Sequence, residues 1–294
     1  MLDEQPSATL DSELMTNSGS LRSAKPSGIR SKPILACSEA IMKLRWSSLV
    51  GLVACGTVSL AYAAEPGQPG AAISNEANAA IQQMGKTLAQ ENIAFKAKTM
   101  RVYQDSDGDY LHIVHRMDVT ARRPDRMAVT ATGDDGTIIL IYDGKQVSAL
   151  DATDNKYAQV PMTGDLQHML DEVSDRVGIE FPLTDFMSND PAKSFLTGVI
   201  SGKEVDTDKI DGIPCRHLFF TQSGAIELEL WVENNDRAIP HRLVITYRAL
   251  PGTPNFIAEF SDWNFQNRPS DADFVFHPPA GATKVDTDTT RGNR

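Results

Sequence analysis

The chain has 294 residues, 41% of them hydrophobic and 23% charged, a balance that builds a packed core and excludes disorder throughout. A net charge of −11 at pH 7 excludes nucleic acid as a main partner, because phosphate binding needs a basic surface that releases condensed counterions. Anionic membrane headgroups are disfavoured on the same ground, which leaves room for transient membrane contact only.

Residues 1–41 are polar and rich in Ser, Pro and charge, and they read as a spurious or disordered extension ahead of a true start at Met42. Residues 42–63 have the order of a secretory signal peptide. Lys43 and Arg45 form a basic start, an uncharged run from Leu49 follows, and Ala61-Tyr62-Ala63 supplies the small-residue end, so cleavage is expected after Ala63. The run is too short and too diluted by Gly51, Gly56, Thr57 and Ser59 for a permanent membrane span. Leu52-Val53-Ala54-Cys55 resembles a lipobox, and lipid anchoring through Cys55 is the alternative to periplasmic release. Removing residues 1–63 leaves 22 basic and 34 acidic residues, so the exported chain stays acidic. It also leaves Cys215 alone, which rules out an internal disulfide.

A linker at 64–70 precedes a helix over 71–91, in which Ala77, Ala80, Ile81, Met84 and Leu88 recur at three- and four-residue spacing behind a Ser74 cap. From Ile93 the period changes to two. Strands then alternate with turns to about residue 160, and Gly136 and Asp143-Gly144 mark hairpins that force antiparallel neighbours. Leu166, Met169, Leu170, Val173 and Val177 form one helical stripe, and a shorter helical segment runs from Leu183 to Leu196, interrupted at Pro191. Five further strands reach residue 264, and 284–294 reads as a flexible tail. The expected fold is mainly β: one strongly curved antiparallel sheet of about ten strands spanning 71–283, an open half-barrel with helices over its concave face. A closed barrel is the alternative. Between an open sheet and its helices an apolar space can survive as a ligand pocket.

No catalytic constellation emerges from the residue pattern. Asp105, Asp107 and Asp109 alternate like calcium ligands, but Tyr110 and Arg116 stand where an EF-hand needs Gly and Glu, so a solvated hairpin turn is expected. His112 and His115 fall on opposite faces of one strand, and His168 with Glu172 offers two ligands without a third; no metal site and no cofactor are expected. Cys215 and His217 share a strand face, which makes a thiol nucleophile the weakest of three functional options, because Cys215 sits in an apolar stretch with no orienting acid in view. The sequence has no G-x-S-x-G elbow.

The segments RRPDR at 122–126, YDGK at 142–145, YAQVP at 157–161, IEFPLTDFMSNDP at 179–191, DGIPCRHLFF at 211–220, HRLVITY at 241–247, SDWN at 261–264 and FVFHPPAGA at 274–282 follow one another in an order that resembles the bacterial domain of unknown function 2092 family of predicted periplasmic proteins. That family resembles the LolA/LolB/LppX-like group, whose fold is an unclosed β barrel with a helical lid and whose characterised members shelter lipids or lipoprotein acyl chains. The resemblance implies no functional residues to carry across, and one fold hosts many activities.

The expected function is therefore a periplasmic carrier, not an enzyme, that holds a lipid or lipoprotein acyl chain between sheet and helices. The expected lining is Met84, Leu88, Tyr142, Leu166, Met169, Leu170, Trp231 and Tyr247. A non-catalytic interaction module for an envelope protein partner is the alternative, and it requires a filled interior.

Overall fold

The computed structural model describes residues 72–177, 181 and 183–285. The expected extension, signal peptide and linker at 1–70 lie outside these residues, as does all but the start of the 284–294 tail.

Helix α1 covers Asn75–Leu88. It is shorter than the expected 71–91 and starts at the expected cap, where the Ser74 side chain accepts a hydrogen bond from the Ala77 amide at 3.2 Å. Its apolar stripe of Ala77, Ala80, Ile81, Met84 and Leu88 is fully buried.

Six strands follow: β1 (Asn92–Gln104), β2 (Tyr110–Arg122), β3 (Arg126–Gly133), β4 (Gly136–Tyr142), β5 (Gln146–Asp151) and β6 (Lys156–Pro161). Each after β1 pairs antiparallel with its predecessor, as short hairpins require. Gly136 and Gly144 take the positive φ that these turns demand, at 125° and 84°.

The chain then leaves the sheet through α2 (Leu166–Val177), α3 (Thr184–Met187) and α4 (Pro191–Leu196). Pro191 opens α4 rather than interrupting it, because proline fits the first turn of a helix, where no backbone donor is needed. Strands β7 (Val199–Ile210), β8 (Ile213–Gln222), β9 (Ile226–Glu233), β10 (Pro240–Tyr247) and β11 (Asn255–Asn264) return from the far edge until β11 pairs with β1. A two-residue strand, β12 (Thr283–Lys284), adds in parallel to β6.

The result is a single open sheet in the order β12-β6-β5-β4-β3-β2-β1-β11-β10-β9-β8-β7. The expected open, curved sheet is present, with twelve strands in place of about ten. One strand beyond those expected is β12, whose two residues are too few for a period-two pattern to reveal. β7 and β12 are the two edges, so the sheet does not close into a barrel.

The concave face carries Ile93, Phe95 and Ala97 of β1, Met117, Val119 and Ala121 of β2, Leu218 and Phe220 of β8, and Leu228 and Leu230 of β9. These merge with the apolar stripes of α1 and α2 and with Phe186 and Phe195 of α3 and α4 into one cluster. On the convex side, the segment after β11 straps over one half of the sheet. Arg122 pairs with Asp271, donates to the Pro269 carbonyl at 2.8 Å and lies over the ring of the buried Phe274, while Phe276 meets Tyr157 on β6.

Arg123, between β2 and β3, ties the helical cover to the sheet. Its Nη1 donates to the carbonyls of Met187 and Ser188 at 2.7 and 2.8 Å, and its Nη2 to those of Leu88 and Phe186 at 3.1 and 3.2 Å. Those oxygens end α1 and α3, where the last carbonyls lack intrahelical donors and a cation is favoured. Close packing completes the cover. A Cβ on Gly85 of α1 would stand 2.6 Å from the Ala192 Cβ of α4, so only glycine lets the two helices approach this far.

Three outcomes are expected in urea unfolding of the protein. Arg123→Ala should lower stability by about 3 kcal/mol or more, since it strips donors from four carbonyls at once. Gly85→Ala should also destabilise, by roughly 1–3 kcal/mol, because overpacking against Ala192 outweighs the roughly 1 kcal/mol gain in helix propensity. Asp165 caps α2 by accepting from the His168 amide at 2.9 Å and also accepts from Asn189 at 2.7 Å; these bonds hold its carboxyl below the ordinary value of 3.8. A depressed folded value means that the cap contributes fully above pH 3.8 and fades as pH falls through the still lower folded value. Asp165→Ala should therefore cost about 1 kcal/mol at pH 7, and the gap to the unsubstituted protein should shrink in strong acid.

Candidate functional site

Between the concave face and the short helices α3 and α4 lies a cavity of about 220 Å³. Its floor is a grid of cross-strand partners. Leu228 of β9 faces Ile245 of β10, Ile226 faces both Tyr247 and Gln222, and Leu243 stands further along β10. Its roof is Leu183, Asp185 and Phe186 around α3 and Phe195 of α4. Leu183, Phe186, Phe195, Leu228 and Leu243 are buried, whereas Gln222, Ile226, Ile245 and Tyr247 are half-buried and Asp185 is exposed, so the space opens on the Gln222–Ile226–Tyr247 side. Period-two alternation puts these strand residues on one face; only the docking of α3 and α4 makes a hollow of them.

At the mouth, Asp185 accepts a hydrogen bond from the Ser194 hydroxyl at 2.5 Å, which links α3 to α4, and the Gln222 amide donates to the Thr197 carbonyl. Polar groups thus edge an opening whose walls are hydrocarbon.

Of the expected lining residues, Tyr247 alone borders this cavity. Met84, Leu88, Tyr142, Leu166, Met169 and Leu170 all lie in the main core, between 0 and 4% exposed. Tyr142 is tied there by its hydroxyl, which donates to the Gly164 carbonyl at 2.7 Å. Trp231 faces the other way. It pairs with His217 and Arg242 across the convex face and forms a small cluster with Ile210 and Cys215. Helical and strand periodicity marked the first group as buried, and the structure places it in the core cluster, away from the lining of this cavity. Leu228, Leu243, Ile245 and Phe195 had no distinguishing signal in the sequence beyond apolar character.

The other sequence candidates separate cleanly. Cys215 is fully buried, burial pushes its thiol up, and the cavity lies on the opposite face of the sheet. His217 does share its face, but the imidazole stacks on Trp231 at 4.0 Å and its Nε2 bonds Glu229 at 3.0 Å, so neither ring nitrogen is directed at the thiol. A β-bulge between Glu204 and Asp206 turns Asp206 and Asp208 toward His217, and the three offer ligand atoms within 4.8 Å of one another. Both carboxylates are exposed, and the histidine has ion-pair partners in Asp206 and Glu229. His112 and His115 fall on opposite faces of β2, and His115 pairs with Asp135 at 2.6 Å. The Asp105 carboxylate accepts from the amides of Asp107 and Asp109, which makes the acidic segment the hairpin turn expected. Among the described residues, no helix is long and apolar enough to cross a membrane.

Several solved structures are similar to this chain. Lipoprotein LppX of Mycobacterium tuberculosis is 17% identical over 65% of this chain and 97% of its own, with a TM-score of 0.40. LprF from Mycobacterium bovis is 13% identical over 68% and 99%, with a TM-score of 0.42. The LolA superfamily protein NE2245 from Nitrosomonas europaea is 13% identical over 67% and 97%, with a TM-score of 0.29. No curated protein sequence matches the chain. Residues 77–287 match the profile of a family described as predicted periplasmic protein (DUF2092), across both arms of the sheet and the helices that cover it. This chain belongs to the DUF2092 family of predicted periplasmic proteins.

Proposed function

We propose that the protein is a non-catalytic periplasmic binding protein that shelters a short apolar group in the cavity between β8–β10 and helices α3 and α4. The observation that carries this reading is the cavity itself: about 220 Å³ with seven apolar residues among the ten that line it. Each methylene moved from water into such a space is worth about 0.8 kcal/mol, so no catalytic group is needed for retention.

Size restricts the cargo. The cavity is smaller than the roughly 300–1,000 Å³ of sites that hold drug-sized ligands, so a complete lipid chain enters only if α3 and α4 move outward. Both helices are short, four and six residues, and such a movement has to release the bonds that Arg123, Asp165 and Gln222 make with this segment. Tyr247 serves as a lining residue in this reading; Met84, Leu88, Tyr142, Leu166, Met169 and Leu170 serve as the packed base of the cover. Delivery to the periplasm follows from a signal peptide at 42–63 cut after Ala63, with acylation at Cys55 as the competing outcome, and N-terminal sequencing of the exported protein separates them.

A second reading, an interaction module for an envelope protein, draws on the open edge at β7, where Ile200 and Val205 are 60% and 46% exposed. One experiment distinguishes the two. Fluorescent short-chain acyl probes should bind the exported protein, and Ile226→Trp, which fills the mouth, should abolish binding while leaving the thermal midpoint nearly unchanged. Protein that extracts empty, binds no probe and co-purifies with one partner would favour the second reading.

A further inference from the structure

The ten residues that line the cavity include one carboxylate, Asp185, and no basic side chain. We propose that Asp185 is a specificity-determining residue that rejects anionic heads, so that the cavity takes a short apolar chain ending in a non-anionic head able to donate hydrogen bonds, such as an amide, a hydroxyl or an ammonium group. This rests on the cavity being the binding site.

Geometry places the charge where the head must lie. The far walls are the buried Phe186, Phe195, Leu228 and Leu243, so an apolar tail lies inward and the head stays at the Gln222–Ile226–Tyr247 side with Asp185. A carboxylate has only acceptors, and one of its oxygens is already engaged by the Ser194 hydroxyl. A donor head can share that acceptor. An anionic head would meet like charge beside a low-dielectric wall, where such juxtaposition weakens binding most.

A competing cation exists on the same face. Cross-strand partners run in one row from Leu228 through Ile245 and Phe256 to Arg101. Arg101 is thus two strands beyond Ile245, about 10 Å away at the usual strand spacing. The buried Phe256, 5% exposed, stands between them, and Arg101 already has an interaction within the protein. Its guanidinium does not line the cavity.

Octanamide, octylamine and octanoate share one chain and differ in the head, and isothermal titration of the exported protein at neutral pH compares them directly. Octanamide and octylamine should bind at least about tenfold more tightly than octanoate. Asp185→Asn keeps an oxygen acceptor for Ser194 and removes the charge, so it should bring octanoate to within about threefold of octanamide with the thermal midpoint unchanged. Octanoate binding as tightly as octanamide to the unsubstituted protein would overturn the proposal, as would an octanamide preference that Asp185→Asn leaves intact. Octanoate binding that Arg101→Gln abolishes would assign the head to the other side of Phe256 and overturn it as well. If none of the three binds, the cavity reading fails first and the selectivity falls with it, an outcome distinct from equal binding of all three.

Discussion

An open sheet has one face that must be kept from water and no barrel closure to do it, and in this protein the cover is held down by Arg123. A single guanidinium donates to four carbonyls at the ends of α1 and α3, gathering two helices distant in sequence onto the β2–β3 connection. Burial lowers its proton affinity, while the nearby Asp165 carboxylate favours the charged form. Everything beneath depends on this cover staying seated: the core under α1 and α2, and the walls that α3 and α4 lend to the cavity.

The cover is not uniform, and the difference has a physical origin. Over α1 the helix surface is small and smooth: Ala77, Ala80 and Gly85 allow close approach, and Ile81, Met84 and Leu88 fill what remains. Over β8–β10 the roof is two short helices joined through Asp185 and Ser194, with bulky Phe186 and Phe195 that bridge the sheet without meeting every side chain below. The close approach at Gly85 and the hollow beneath α3 and α4 follow from the shapes of these residues rather than from a change in polarity.

The two convex surfaces also differ. The half formed by β2–β6 is strapped by the segment around Phe274, anchored through Arg122. The half formed by β7–β10 carries instead a row of paired charges around Trp231, with His217 on one side and Arg242 on the other. There the aromatic ring and the alternating charges cover the small cluster of Ile210 and Cys215, which accounts for a buried thiol on an outward face.

Local patterns determined much of this molecule. The three- and four-residue spacing of α1, its Ser74 cap, the period-two strands and the glycine turns follow from short-range sterics and burial, and each stands where the sequence places it. The acidic hairpin at Asp105 and the opposed faces of His112 and His115 follow from the same periodicities. Tertiary structure alone decided which buried residues border a space. Met169 and Leu243 are equally apolar, nearly equally buried and part of one core cluster, yet only Leu243 borders the hollow, because a cavity is a mismatch between surfaces contributed by segments distant in sequence. Trp231 differs, because it alternates in β9 with Leu228, Leu230 and Val232 and shares its face with Glu227, Glu229 and Glu233, so its outward side follows from period two and only its aromatic character suggested a place in the cavity.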